Sequence, residues 1–162
     1  MQTKIEVKNL NLYFGEKQAL KKISLAIPEN SIVALIGPSG CGKSTLLRSL
    51  NRMHDLNPAV RMRGEILLDG RRVNKATRDE YRELFSAIFF DYHLFRRLYG
   101  VPDVDPAELR QLLTKFRLED KTGLINGEFR TLDLSGGQRR RLALIVSLLE
   151  DRPIMLLDEW TA

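Results

Sequence analysis

The residues that promise chemistry fall in three stretches. The first is Gly37-Pro38-Ser39-Gly40-Cys41-Gly42-Lys43-Ser44, which fits G-x-x-x-x-G-K-[ST]. Its glycines let a backbone curl with the N–H groups pointing inward and no Cβ in the way. Lys43 supplies a point charge for β- and γ-phosphates, and the Ser44 hydroxyl suits Mg²⁺. The second stretch is Asp158-Glu159, two carboxylates closing the apolar run Ile154-Met155-Leu156-Leu157. In an open α/β sheet, ligands sit outside such strand ends. That placement assigns Mg²⁺ to Asp158 and the attacking water to Glu159; the plainer alternative is a solvated acidic pair. The third is Leu134-Ser135-Gly136-Gly137-Gln138, followed by Arg139, Arg140 and Arg141. Arginines crowding the first turn of a helix oppose its dipole, so this pattern is consistent with an anion arriving there.

These residues need elements to hold them. Ser31 to Ile36 is apolar and β-branched, which predicts a short buried strand emptying into the loop. Thr45 to Leu50 then reads as the start of a helix. Upstream, residues 4–8 alternate as a half-buried strand, and Asn11 to Gly15 reads as a turn carrying Tyr13 and Phe14. Either aromatic is a core residue or a stacking platform for a purine. Residues 19–27 predict a second strand, closed by Pro28-Glu29-Asn30. Residues 64–70 predict another, ending in an Asp-Gly turn. Residues 77–85 read as helical, and 86–90 as a further apolar run. Asp105-Pro106-Ala107-Glu108 is a helix start, with Asp as cap and Pro at the first position. Leu109, Leu112, Leu113 and Phe116 form one apolar stripe, which predicts core. The helix after Gln138 is apolar nearly all round over 142–149, which predicts burial.

Composition removes several classes. The 162 residues are 43% hydrophobic and 29% charged, enough for a packed core and unlike a disordered chain. No apolar stretch approaches the roughly 20 residues that span a bilayer. The first residues carry no apolar signal core, so a cytosolic compartment is the simplest expectation. A single cysteine, Cys41, excludes an internal disulfide and any multi-cysteine zinc site. The Arg/Lys groups behind the net charge of +5 read first as solvated surface, with a polyanionic partner, a nucleotide phosphate tail or nucleic acid, as the alternative.

GPSGCGKST at 37–45, LSGGQ at 134–138 and IMLLDE at 154–159 stand in one order, and together they resemble the ATP-binding cassette (ABC) ATPases. The resemblance covers nearly the whole chain and identifies it as a single, partial ABC ATP-binding domain. It implies an α/β P-loop NTPase fold: a RecA-like core, a small antiparallel β region and a helical signature subdomain at about 90–140. The implied cofactors are ATP and Mg²⁺. The implied ATP contacts are Phe14, Gly37, Pro38, Ser39, Gly40, Cys41, Gly42, Lys43, Ser44 and Thr45, with Phe14 the better match to the family's adenine-stacking aromatic and Tyr13 the near alternative. Lys43 and Glu159 are the implied catalytic residues, and Ser44 and Asp158 hold the metal. Ser135, Gly136, Gly137 and Gln138 would meet the ATP of a second ABC domain packed head to tail. The other implied partner is a transmembrane permease domain, which places the chain at the cytoplasmic face of the membrane. No nucleic acid is expected, because the repair and chromosome-organising relatives carry zinc modules or long coiled coils.

Two departures stand out. The family's Mg²⁺-sensing glutamine falls near Phe90, followed by Asp91, and phenylalanine cannot ligate a metal. The chain also stops at Trp160-Thr161-Ala162, before the family's next aspartate-bearing loop and its γ-phosphate-sensing histidine, so it reads as an incomplete cassette. His54 and His93 precede the signature and read as ordinary surface or packing residues. Residues 1–70, chiefly through 51–70, resemble the ATP-binding subunit of phosphate importers; residues 80–162, chiefly through 81–95 and 156–162, resemble cyclic-peptide and siderophore exporters, a switch within 70–80 that implies a recombined or chimeric reading frame. The expected function is therefore the ATP-hydrolysing module of a transporter, phosphate-import-like, with an exporter ATPase or a nucleotide-binding fragment of little turnover as alternatives.

Overall fold

The computed structural model describes residues 2–74, 77–89, 92–101 and 104–159. The chain forms two compact units, divided between Glu83 and Leu84.

The first unit is built on a four-stranded antiparallel sheet of order β2-β1-β3-β4. Its strands are β1 (Thr3–Phe14), β2 (Lys17–Pro28), β3 (Val60–Leu68) and β4 (Arg71–Arg72). The alternation read at 4–8 holds: Ile5 and Val7 are buried. The phase then slips, because Leu10 and Leu12 are the next buried pair. Asn9 absorbs the slip in a left-handed conformation (φ 48°), and the pairing to both neighbours shifts there. Gly64 of β3 lies against this bulge at φ 108°, where a Cβ would come within 2.6 Å of the Asn9 carbonyl oxygen. Only glycine fits that approach. The turn expected at 11–15 is tighter than the sequence reading: residues 11–14 remain in β1, and the chain reverses at Gly15-Glu16. Cross-strand pairing to Lys17 and Val60 keeps Phe14 in the sheet.

Helix α1 (Lys43–Leu50) buries Leu46 and Leu50. A 3-10 turn follows at Met53–Leu56, and α2 (Arg78–Arg82) closes the unit. The Tyr81 hydroxyl of α2 donates to the Leu50 carbonyl at the end of α1. Burial raises the pKa of that phenol, which is consistent with its donor role.

The expected strand at 31–36 is not formed. Residues 31–38 run outside any strand, and Ile32 and Ile36 are fully exposed. A β-branched run becomes a strand only where neighbours offer a hydrogen-bonding edge and cover its faces. Residues 31–36 pair with none of the four strands of this unit's sheet.

The second unit has a two-stranded parallel sheet, β5 (Phe85–Ile88) with β8 (Ile154–Leu157), paired residue for residue from Phe85–Ile154 to Ile88–Leu157. Helix α3 (Pro106–Lys115) starts as read, with the Asp105 carboxylate accepting the Ala107 N–H at 2.8 Å. Of its stripe, Leu109 and Leu113 are buried, and Leu112 and Phe116 pack against the same core partly exposed. A hairpin of β6 (Leu124–Ile125) and β7 (Glu128–Phe129) turns on Asn126-Gly127, both left-handed. Asn-Gly between apolar pairs is a strong hairpin signal, and the sequence reading passed over it. Helix α4 (Gly136–Leu149) completes the unit, with Leu142 and Ile145 fully buried. Its nearly all-round apolar stretch is covered except at Leu148. One polar cluster sits in this interior. The Ser86 hydroxyl of β5 bonds the Ser147 hydroxyl of α4 and donates to the Glu150 carboxylate just past it.

Candidate nucleotide-binding site

The Lys43 loop has the form its glycines permit. Gly40 and Gly42 are left-handed, at φ 77° and 98°, and Gly42 caps α1 with no side chain bonding the helix end. A Cβ on Gly42 would stand 3.0 Å from the Leu20 side chain and 3.4 Å from the Ala19 carbonyl oxygen, so the loop is seated directly on β2. The Cys41 N–H donates to the Pro38 carbonyl at 3.3 Å. The Lys43 ammonium donates to the carbonyls of Gly37 and Pro38, both at 2.8 Å, and stands 3.7 Å from the Cys41 sulfur. Two neutral carbonyls hold this cation less strongly than phosphate oxygens would. The first N–H groups of a helix have no intrahelical partners, and the Gly42 cap has no side chain to accept from one. Ser39, Gly40 and Cys41 are exposed, whereas Ser44 and Thr45 are half-buried.

Of the two aromatics, Phe14 is the more exposed. Its ring is 40% exposed at the end of β1, too open for a core residue. Tyr13 is half-buried, with the Arg61 guanidinium 5.8 Å from its ring centre. Phe14 meets His54, read from the sequence as a surface or packing residue. The His54 ring stands 5.5 Å from it at 80°. His54 Nε2 lies 3.1 Å from the Thr45 carbonyl, which can only accept, so Nε2 carries a proton. Burial is the main cause that lowers the His54 pKa below the ordinary 6.5, and the Arg48 cation adds to it. The Thr45 carbonyl and Asp55 oppose this shift without reversing it. No spacing in the sequence announces this contact, because the fold makes it by bringing the end of β1 to the turn after α1.

The carboxylates and the signature belong to the second unit, described by itself. Asp158 is buried, and its N–H donates to the Ile88 carbonyl at 2.9 Å, which fixes it at the end of the parallel ladder. Glu159 follows, exposed and left-handed at φ 49°. Ser135 caps α4 in a reciprocal box. Its hydroxyl accepts the Gln138 N–H at 3.3 Å, and the Gln138 side-chain oxygen accepts the Ser135 N–H at 2.8 Å. With one lone pair used inward, the Ser135 O–H is left to donate outward. A Cβ on Gly136 would meet nothing within 4 Å, and one on Gly137 only an Arg141 guanidinium nitrogen at 3.9 Å. Phe90 and Asp91 lie outside the described residues, so the expectation about the glutamine position is neither met nor broken.

A family profile described as "ABC transporter" matches residues 20–162. "ATP-binding protein SyrD" of Pseudomonas syringae pv. syringae is 41% identical over 169 aligned residues, covering 98% of this chain and 29% of that protein. A solved bacterial Atm1-family ABC exporter with ATP bound superposes with a TM-score of 0.79 at 28% identity, covering 99% of this chain and 30% of its own. The chain therefore spans under a third of the length of these relatives. Neither supports phosphate import, the expectation drawn from 51–70. The SyrD match includes 70–80, where the two branch resemblances change over. The P-loop NTPase fold and the family are thereby shown: this chain belongs to the ABC transporter family.

Proposed function

We propose that the chain is the ATP-binding and ATP-hydrolysing module of an ABC exporter. The observation that carries this is the Lys43 loop, where a left-handed glycine caps the helix and the Lys43 ammonium rests on two neutral carbonyls. A triphosphate would draw the Lys43 ammonium off the Gly37 and Pro38 carbonyls, exchanging two neutral acceptors for charged ones. The N–H groups from Gly40 to Thr45 would line the β-phosphate. Phe14 would stack on the adenine.

Among the described residues, no group of three or more His, Cys, Asp and Glu could hold a metal unaided. The donor set proposed for Mg²⁺, the Ser44 hydroxyl and the Asp158 carboxylate, is of the hard oxygen type that ion takes, with phosphate and water completing its shell. The ion would supply charge neutralisation between the β- and γ-phosphates. Glu159 would orient and polarise the attacking water. Ser135, Gly136, Gly137 and Gln138 would contact the γ-phosphate held by a second ABC domain, with the Ser135 hydroxyl as donor. The chain would act as one domain, its helical subdomain at about 90–140, against a transmembrane permease domain at the cytoplasmic face. Among the described residues, no helix is long and apolar enough to cross a membrane itself.

Exposed Cys41 offers a direct test. Mg·ATP should block its alkylation, and Lys43→Ala should abolish that protection. Equal labelling with and without nucleotide would remove ATP from the loop. Steady-state hydrolysis should be lost in Glu159→Gln; turnover that survives the change would unseat Glu159.

A further inference from the structure

We propose that His54 is a positioning residue for the base end of the nucleotide site: it bonds the first turn of α1 and packs across Phe14, fixing the stacking aromatic relative to the phosphate loop. The inference rests on the reading that Mg·ATP occupies the Lys43 loop, and it deepens that reading.

A nucleotide is recognised at two ends, and the gain from the second end depends on the two being held at a set separation. The phosphate end is fixed here by Gly42 seated on Ala19 and Leu20 of β2. Leu20 pairs with Leu12 of β1, and Phe14 lies two residues further along that strand. This route fixes the Phe14 backbone. It leaves the ring free to turn about its side-chain torsions, since the residue is at the strand end and 40% exposed. His54 removes that freedom. Its ring crosses Phe14 at 80° and 5.5 Å, the perpendicular arrangement aromatic pairs prefer.

His54 is itself held. Nε2–H is bonded to the carbonyl of Thr45, two residues beyond Lys43. The 3-10 turn carrying His54 is closed by Arg52 and Asp55, whose side chains pair at 2.9 Å. Whichever ring presents its edge, at least one face of Phe14 is left uncovered by His54, and a purine needs one face. A ring that served packing alone would have no reason to be tied to the phosphate-binding helix turn and to an exposed aromatic at once.

The test compares two probes on the 162-residue chain by calorimetry: Mg·ATP, and Mg·tripolyphosphate, which has the phosphates and no base. His54→Ala should weaken Mg·ATP roughly 3–10-fold, the worth of one well-placed aromatic contact, and tripolyphosphate by less than about 2-fold. His54→Phe, which restores a ring without the bond to Thr45, should recover part of the ATP affinity. Equal weakening of both probes would overturn the inference, because His54 would then serve only the loop; no weakening of either would overturn it as well. If His54→Ala does not fold, His54→Gln carries the same comparison, since it keeps a donor for the Thr45 carbonyl and removes the ring. A parent chain that binds neither probe would instead overturn the reading of the Lys43 loop, a failure visible before any His54 variant is made.

Discussion

Helices α1 and α4 both begin on glycine-bearing loops, and their N-termini are finished in opposite ways. At α1 the cap is a left-handed glycine, which has no side chain to bond the helix end, and the Lys43 ammonium rests on carbonyls. At α4 a serine and a glutamine close a capping box, which satisfies two backbone donors internally. The first end has a cap that contributes no side-chain bond. The second is complete by itself and presents one hydroxyl proton outward. Such an end contributes little alone, but it suits a contact made to a phosphate that another loop already holds.

The largest effect that separates the two ends is on nucleotide affinity. Lys43→Ala should weaken Mg·ATP binding on the order of 100-fold, from the loss of a charge-assisted contact to phosphate. Ser135→Ala, measured in dilute protein where chains do not pair, should change it by less than about 2-fold. Comparable losses from the two variants would break the contrast.

The glycines give the next effect, and its sign differs between the ends. Gly42→Ala forces an L-residue to φ 98° and pushes its methyl against Leu20, so unfolding free energy should fall by about 2 kcal/mol. Gly136 has neither constraint: a methyl there meets nothing within 4 Å. Gly136→Ala should stabilise by about 0.5 kcal/mol through the unfolded chain. Denaturant titration of both variants checks it. The cap itself is worth less than the Gly42 constraint. Ser135→Ala should cost about 1 kcal/mol, visible as faster hydrogen exchange in the first turn of α4.

How much of this was readable beforehand follows the range of the forces involved. Asp105 at α3 and the start of α4 were legible because capping is decided within four residues. The three motifs were legible because phosphate and metal chemistry fix residue types at short spacing. The run at 31–36 was misread because propensity describes only the chain's willingness to extend, while pairing depends on an edge supplied from elsewhere. The slip between Val7 and Leu10 was invisible because it needs Gly64, far along the sequence, to admit the Asn9 bulge. The packing partners of His54 were invisible for the same reason. Its partners are Phe14 and Thr45, and nothing local links the three.

The smallest effect distinguishes the two helices by pH. The turn after α1 is tied to Thr45 through an imidazole, whereas the α4 box contains only a hydroxyl and an amide. Burial holds the folded His54 pKa below 6.5, and Arg48 adds to this, with the Thr45 carbonyl and Asp55 opposing. Between the lowered value and 6.5 the unfolded chain binds more protons than the folded one, so stability rises with pH across that window. The His54-linked contribution is therefore fully present above pH 6.5 and falls as the solution is acidified. It levels off once the pH is below the folded value. Hydrogen exchange at pH 7.5, 6.5 and 5.5, corrected for intrinsic rates, should show protection of β1 and α1 declining in the parent chain. His54→Gln should flatten that decline, while the first turn of α4 changes equally in both proteins. A parent profile as flat as that of His54→Gln would mean the imidazolium is not penalised in the fold, and the pH contrast between the two helix ends would fail.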